Sequence, residues 1–257
     1  RKVPAIMFGH GDYTHHTSED TPDKVDPVEL ERTGIIAAAT AVFLANLDGP
    51  QAADLARLAG ANAVQALAMS GRRAHRYFAG ATRADYAGRW AEAQNVIDHE
   101  LQWQKDSVNS ILQFSGEPAA QAAVASAAGQ LEAQHRFLAD SLKAGVAALG
   151  FDTGSRPELD PRPDARVPVR LTRGPLAGGL PESRLDEAGA AWYRMEGRAL
   201  SGNARFEILN FIDGTRTVSA IRNAVSAEYG PIDRALVAHY IEDLVKAGLA
   251  RWATGRP

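Results

Sequence analysis

The chain has 257 residues, a formal net charge of −3 and no cysteine. That length serves one large or two modest domains. The near-balanced charge gives no general pull toward nucleic acid or an anionic membrane, and the lack of cysteine excludes disulfides and thiolate metal ligands. The chain begins Arg1-Lys2-Val3, so it is expected to be a piece of a longer or processed protein, and no signal peptide is visible in it.

"KVPAIMF" (Lys2 to Phe8) is apolar on both faces, as in the interior strands of parallel sheets. Nothing nearby supplies neighbouring strands, and a lone strand leaves its backbone groups unpaired. The loop after it, "GHGDYTHHTSEDT", holds His10, His15 and His16 with Asp12, Glu19 and Asp20. A helix then starts with Asp26 as N-cap, Pro27 in the first helical position and Glu29 placed for a capping box. It is expected to run to about Leu47 and stop at Asp48-Gly49-Pro50. Its window Gly34 to Ala45 is very apolar but short of the ~20 residues that span a bilayer, which predicts a helix buried on one or both faces.

A second helix is expected over Gln51 to Phe78, with a weak point at Gly60 or Gly71. A third covers Arg83 to Gln113, with Trp90, Ile97, Leu101, Val108 and Ile111 on one stripe. "SGEP" (Ser115 to Pro118) breaks the pattern. A fourth helix reaches Leu149, with Val124, Leu131, Leu138, Leu142 and Leu149 on one side. Two long amphipathic helices joined by a short loop make an antiparallel hairpin.

From Gly150 to Pro181 prolines and glycines accumulate, and an extended linker is expected, lying against the rest of the protein, with Trp192-Tyr193 as its anchor. Helices over Ser201 to Gly214 (ending in Asp-Gly), Thr217 to Gly230 (capped by Thr217) and Pro231 to Gly248 (with Asp233 as N-cap and Gly248 as the stop) precede a strand, "LARWA" (Leu249 to Ala253). Three helices and a strand in some fifty residues make a winged-helix pattern. The third of these helices sets Arg234 and Lys246 against Asp233, Glu242 and Asp243, which is poorly suited to neutralising phosphates, so no nucleic-acid partner is expected. The segment also resembles small winged-helix modules such as peptide-binding chaperones of modified-peptide pathways, through "FIDGTRTV" and "YIEDLVKAGL". The resemblance implies docking on another domain or another copy of the chain.

Without thiols, zinc prefers histidine nitrogen and carboxylate oxygen. A His-rich loop is most simply a solvated turn whose acids cap the next helix. Here, however, "HTSEDTPDKVD" resembles the last metal-ligand segment of the di-zinc aminopeptidases, a group that includes the glutamate-carboxypeptidase-like exopeptidases. Their pattern is His-Thr-x-x-Asp-Thr after a strand and before a long helix, matched by His16, Thr17, Asp20 and Thr21. The resemblance covers roughly Arg1 to Leu47. It implies that His16 ligates one of two zinc ions. Asp20 either accepts that ring's second N–H or, with Thr21, merely caps the turn at Pro22. Many relatives carry Tyr before the ligand His as an oxyanion donor; His15 stands there and is the candidate catalytic residue. His10 and Asp12 match no motif and count as loop residues at the rim of the cleft.

The family's His-x-Asp segment, bridging Asp, Glu-Glu pair and further Asp ligand all precede this segment, and none is matched here. The chain alone is therefore not expected to hydrolyse peptides. It needs the missing N-terminal catalytic segment as a partner.

Other candidates are weaker. Glu132 and His135 form a Glu-x-x-His step, but no second step accompanies it, and it reads as a surface pair. Asp98, His99 and Glu100 are adjacent and so point in different directions on a helix. Arg72, Arg73, Arg76, Arg83 and Arg89 form a basic run that reads first as a solvated face.

The expected fold is mainly α: the terminal strand and helix of an α/β zinc-peptidase domain (1–48), a helical extension of long hairpins (49–150), a Pro-rich linker (151–198) and a winged-helix-like module (199–257). The expected function is the C-terminal portion of a zinc exopeptidase, an aminopeptidase cleaving N-terminal peptide bonds of peptide substrates. A periplasmic or secreted location follows from the resemblance. The extension would restrict access to the cleft or support a homo-oligomer, and no membrane span is expected. The other reading is a non-catalytic module whose helices bind a protein partner.

Overall fold

A computed structural model describes residues 15–172, 174, 176 and 180–254 of the chain. The expected strand Lys2–Phe8, with His10 and Asp12, lies outside the described residues. The described structure is mainly helical. Helix α1 (Pro27–Ala45) begins where the sequence predicts: the Asp26 carboxylate accepts from the backbone N–H of Val28 at 2.8 Å and of Glu29 at 3.4 Å, with Pro27 in the first turn. Glu29 closes no capping box; its carboxylate pairs with Arg32 at 2.6 Å.

Helix α2 (Gly49–His75) follows at once. Asp48 caps it, and Gln51 reaches back to complete a capping box. Helices α3 (Tyr86–Asn109) and α4 (Pro118–Ala148) pack on α2 and on each other. Their common core holds Leu67, Trp90, Ile97, Val108, Leu131 and Leu142, so the stripes expected on α3 and α4 are the buried ones. Leu149, at the far end of the α4 stripe, is exposed, as is Trp103.

Gly60 and Gly71 do not weaken α2, contrary to expectation. They belong to its buried stripe of small residues, with Ala52, Ala56, Ala63 and Ala74. A Cβ at Gly60 would stand 2.8 Å from that of Ala127, and one at Gly71 would stand 2.5 Å from Leu138 Cδ2. The two glycines let α4 approach the α2 backbone closely, and that packing outweighs their lower helix propensity of about 1 kcal/mol each.

Beyond α4 the chain is extended but not featureless. Phe151 stacks on Tyr86 with centroids 4.6 Å apart. Strand β1 (Pro168–Arg170) pairs antiparallel with β2 (Ala250–Trp252), Pro168 opposite Trp252. Helix α5 (Glu187–Arg194), capped by Asp186, lies within the expected linker; eight residues are too few to reveal a periodicity. Helices α6 (Gly202–Phe211), α7 (Val218–Tyr229) and α8 (Arg234–Lys246) carry side-chain N-caps at Ser201, Thr217 and Asp233. A second core gathers Tyr193, Ile208, Ile221, Val225, Tyr240 and Leu244. Trp192-Tyr193 does anchor this stretch: the Tyr193 hydroxyl donates to the buried Asp243 at 3.1 Å, and Trp192 stacks on His239 at 4.0 Å.

The two cores meet along α3 and α7. Glu92 and Asn95 lie on one face of α3, as does His99, at steps of three and four residues. Glu92 pairs with Arg222 with both side chains nearly buried, Asn95 Nδ2 donates to the Asn223 carbonyl at 2.8 Å, and His99 Nε2 lies 3.4 Å from Glu228 Oε1. Burial pushes the Glu92 carboxyl up, against the opposing pull of Arg222 and Asn95, and the net direction is upward.

The expectation for the apolar window of α1 is overturned. No residue of α1 is buried, and Ile35, Ile36, Val42 and Phe43 are exposed. Periodicity can forecast an apolar helix, but burial also requires a surface to receive it, and among the described residues no element packs extensively on α1.

Two predictions follow from the packing. Gly60→Val should lower stability by about 1–3 kcal/mol through overpacking against Ala127, whereas Gly129→Ala on α4, where a Cβ meets nothing within 4 Å, should raise it by about 0.5–1 kcal/mol; chemical denaturation of both variants checks the contrast. Arg222→Met should cost about 3–5 kcal/mol by stranding Glu92 without its partner. Because the folded-state pKa of Glu92 is raised, its contribution is fully present below the unfolded value and is lost as pH rises; the loss in Arg222→Met should therefore deepen from pH 4 to pH 7 in urea titrations.

Candidate functional site

The loop before α1 is a series of turns held by its own polar groups. The Asp20 backbone N–H donates to the Thr17 carbonyl at 3.2 Å, and Thr21 Oγ1 donates to Asp23 at 2.5 Å. Within it the rings of His15 and His16 lie 3.8 Å apart, centroid to centroid, tilted by 38°. The Asp20 carboxylate accepts from the backbone N–H of His16 at 3.4 Å and stands 3.8 Å from His15 Nδ1. All three side chains are exposed. Asp20 thus works on the backbone of His16 and faces the ring of His15, so the structure brings the three predicted site residues together.

His16 is also the one non-glycine residue with positive φ among the described residues, at 63°. Histidine is among the few side chains that tolerate this left-handed region, at a cost of order 1 kcal/mol. The Asp20–His16 hydrogen bond and the turn around it hold the residue there. The donor types, imidazole nitrogen and carboxylate oxygen, suit zinc. Among the described residues, however, no group of three or more His, Asp or Glu is spaced to hold a metal ion. Any metal held at this loop would need further ligands.

A second concentration of polar groups was not legible in the sequence. Asp98, His99 and Glu100 do diverge, each to a different helix: Asp98 to His135 of α4, His99 to Glu228 of α7, and Glu100 to Ser70 of α2 at 2.8 Å. The Asp98–His135 contact is 2.6 Å, and Arg156 of the extended segment binds the other Asp98 oxygen. Contrary to the expected surface pair, His135 does not partner Glu132. It is largely buried against Asp98, while Glu132 takes Lys105 at 2.6 Å.

Asp98 lines a cleft of about 430 Å³ shared with Asn95, Glu158, Asp160, Ser219 and Asn223. Its acids are largely engaged already: Asp160 Oδ2 accepts from Ser219 Oγ at 2.7 Å and lies 3.3 Å from Arg234. This arrangement clamps the extended segment to both cores. Burial pushes the Asp98 carboxyl up, but hydrogen bonds from His135 and Arg156 outweigh it and hold the group below the ordinary carboxylate range.

With this geometry described, comparison with known proteins adds nothing to it: no family model, no curated protein and no solved structure matches the chain.

The Asp98 clamp makes a pH prediction. A lowered folded-state pKa contributes stability above the unfolded value and loses it as pH falls through the folded one. The wild type should therefore lose more stability than Asp98→Asn between pH 5 and pH 3, with Asp98→Asn the less stable of the two at pH 6; urea midpoints across that range measure both.

Proposed function

We propose that this chain is the C-terminal portion of a zinc-dependent exopeptidase that hydrolyses N-terminal peptide bonds, with His16 as one metal ligand. One observation carries the reading. A histidine held at positive φ, in an exposed loop with a second histidine and an acid, sits directly ahead of a capped apolar helix none of whose residues is buried. Strained non-glycine residues cluster where structure serves a site. An uncovered apolar helix fits a segment that lies against a larger domain.

When bound, a zinc pair supplies a polarised scissile carbonyl and a water acidic enough to ionise near neutral pH. His16 would contribute one neutral imidazole nitrogen. The Asp20 carboxylate fixes the His16 backbone and so aims that ring, a positioning role in place of the expected bond to the ring itself. His15, whose ring lies tilted against that of His16, would offer an N–H to the developing oxyanion. The remaining ligands and the general base would come from the N-terminal catalytic segment, and peptide is the substrate.

The segment from β1 to β2 fits a winged-helix-like module, with α8 in the place of a reading helix. The acids of α8 disfavour DNA and favour docking on protein, including a second copy of the chain. No helix among the described residues is long and apolar enough to cross a membrane. The exposed apolar face of α1 equally supports the second reading, a non-catalytic interaction module, and the metal decides between them.

In the complete protein, His16→Ala should remove at least half of the bound zinc, measured by elemental analysis, and lower kcat/KM on a dipeptide substrate by at least 100-fold. His15→Ala should keep the zinc and lower kcat by about 10²–10³-fold. Unchanged zinc and turnover in His16→Ala would leave the interaction module.

A further inference from the structure

Three arginines at the end of α2 and just beyond it are gathered around one cleft. Arg89, further along, pairs with Asp85 at 2.8 Å. Arg72, Arg73 and Arg76 instead line one cleft of about 560 Å³ between α2 and α3, and none of them makes an ion pair among the described residues. Glu100 shares the cleft but is engaged: it accepts from Ser70 Oγ at 2.8 Å and from Gln104 Nε2 at 2.7 Å. Arg73 is fixed by a hydrogen bond from Nη1 to the Glu228 carbonyl at 3.3 Å, on the last turn of α7, while its Nε is buried without a partner among the described residues.

Three guanidiniums against one occupied carboxylate leave an uncompensated positive charge in a concave site. A helix C-terminus favours cations, which explains why arginine is tolerated on this turn. It does not explain why three converge on one cleft.

We propose that this cleft binds a small phosphate-bearing anion. Guanidinium forks match phosphate oxygens two at a time, and the three or more oxygens of a phosphate can accept from three arginines at once, which a single carboxylate cannot. The volume suits a small molecule, and Met69 at the lip offers an apolar contact for an organic portion. The site is independent of the His16 loop and of the peptidase reading.

The test is calorimetry at low salt with inorganic pyrophosphate, ADP and citrate. Pyrophosphate or ADP should bind with one-site saturation. Tighter binding of pyrophosphate assigns free phosphate, and tighter binding of ADP a phosphate ester. Arg72→Gln/Arg76→Gln changes two exposed side chains and should fold normally by circular dichroism; it should weaken binding at least tenfold. Arg83→Gln, in the same run but outside the cleft, should leave it unchanged. Absence of saturable binding, citrate binding as tightly as pyrophosphate, or an equal loss in Arg83→Gln would each overturn the proposal.

Discussion

Glu92 and Arg222 are where the molecule's two halves become one. Each core closes on its own apolar residues, but their contact along α3 and α7 is polar, and its centre is an ion pair almost sealed from water. Desolvating two charges is expensive, and in many proteins an apolar pair would serve as well. What an ion pair adds here is register. Arg222 also donates to the Ile232 carbonyl at 2.7 Å, beyond the end of α7, so one guanidinium ties α3 to α7 and to the turn before α8. With Asn95 and His99 following on the same face, α7 has few ways to slide along α3 without stranding a polar group.

That joint explains how the sequence arranges its other polar residues. Three consecutive side chains, Asp98, His99 and Glu100, reach α4, α7 and α2 in turn. A helix can do this because successive residues are rotated by about 100°. Helix α3 is thus the central post of the structure: it shares an apolar core with α2 and α4, and its polar side chains tie it to α2, α4 and α7. The His15–His16 loop stands apart from this network. Asp20 and Thr21 bond to near neighbours in the loop, and the helix that follows keeps its apolar side chains in the open.

Much of this architecture was legible in the sequence, because caps and periodicity are local. Asp26, Thr217 and Asp233 announce helix starts through short-range hydrogen bonds, whereas Asp48, expected only as the turn that stops the first helix, caps the second; the stripe of Trp90, Ile97, Val108 and Ile111 is buried as its spacing implies. The failures are non-local. Gly60 and Gly71 look like breaks until Ala127 and Leu138 are seen facing them. Burial of α1 depends on a partner surface that periodicity does not contain. At the candidate site, the closeness of His15, His16 and Asp20 follows from their spacing of one and four residues, but the left-handed backbone of His16 does not. The Asp98–His135–Arg156 cluster joins positions so far apart that nothing in a single sequence links them.

The β1–β2 ribbon has a consequence for the order in which the chain assembles. Its two strands pair positions eighty or more residues apart and are only three residues long. Four further backbone hydrogen bonds stitch the extended segment to the N-terminus of α7 and to the flanks of β2. Closing so large a loop carries an entropic penalty that so short a ribbon cannot offset alone. The hairpin of α3 and α4 and the helices α6 to α8 must therefore gather first, through near neighbours, and the intervening segment threads into place last, like a drawstring over two bags already filled.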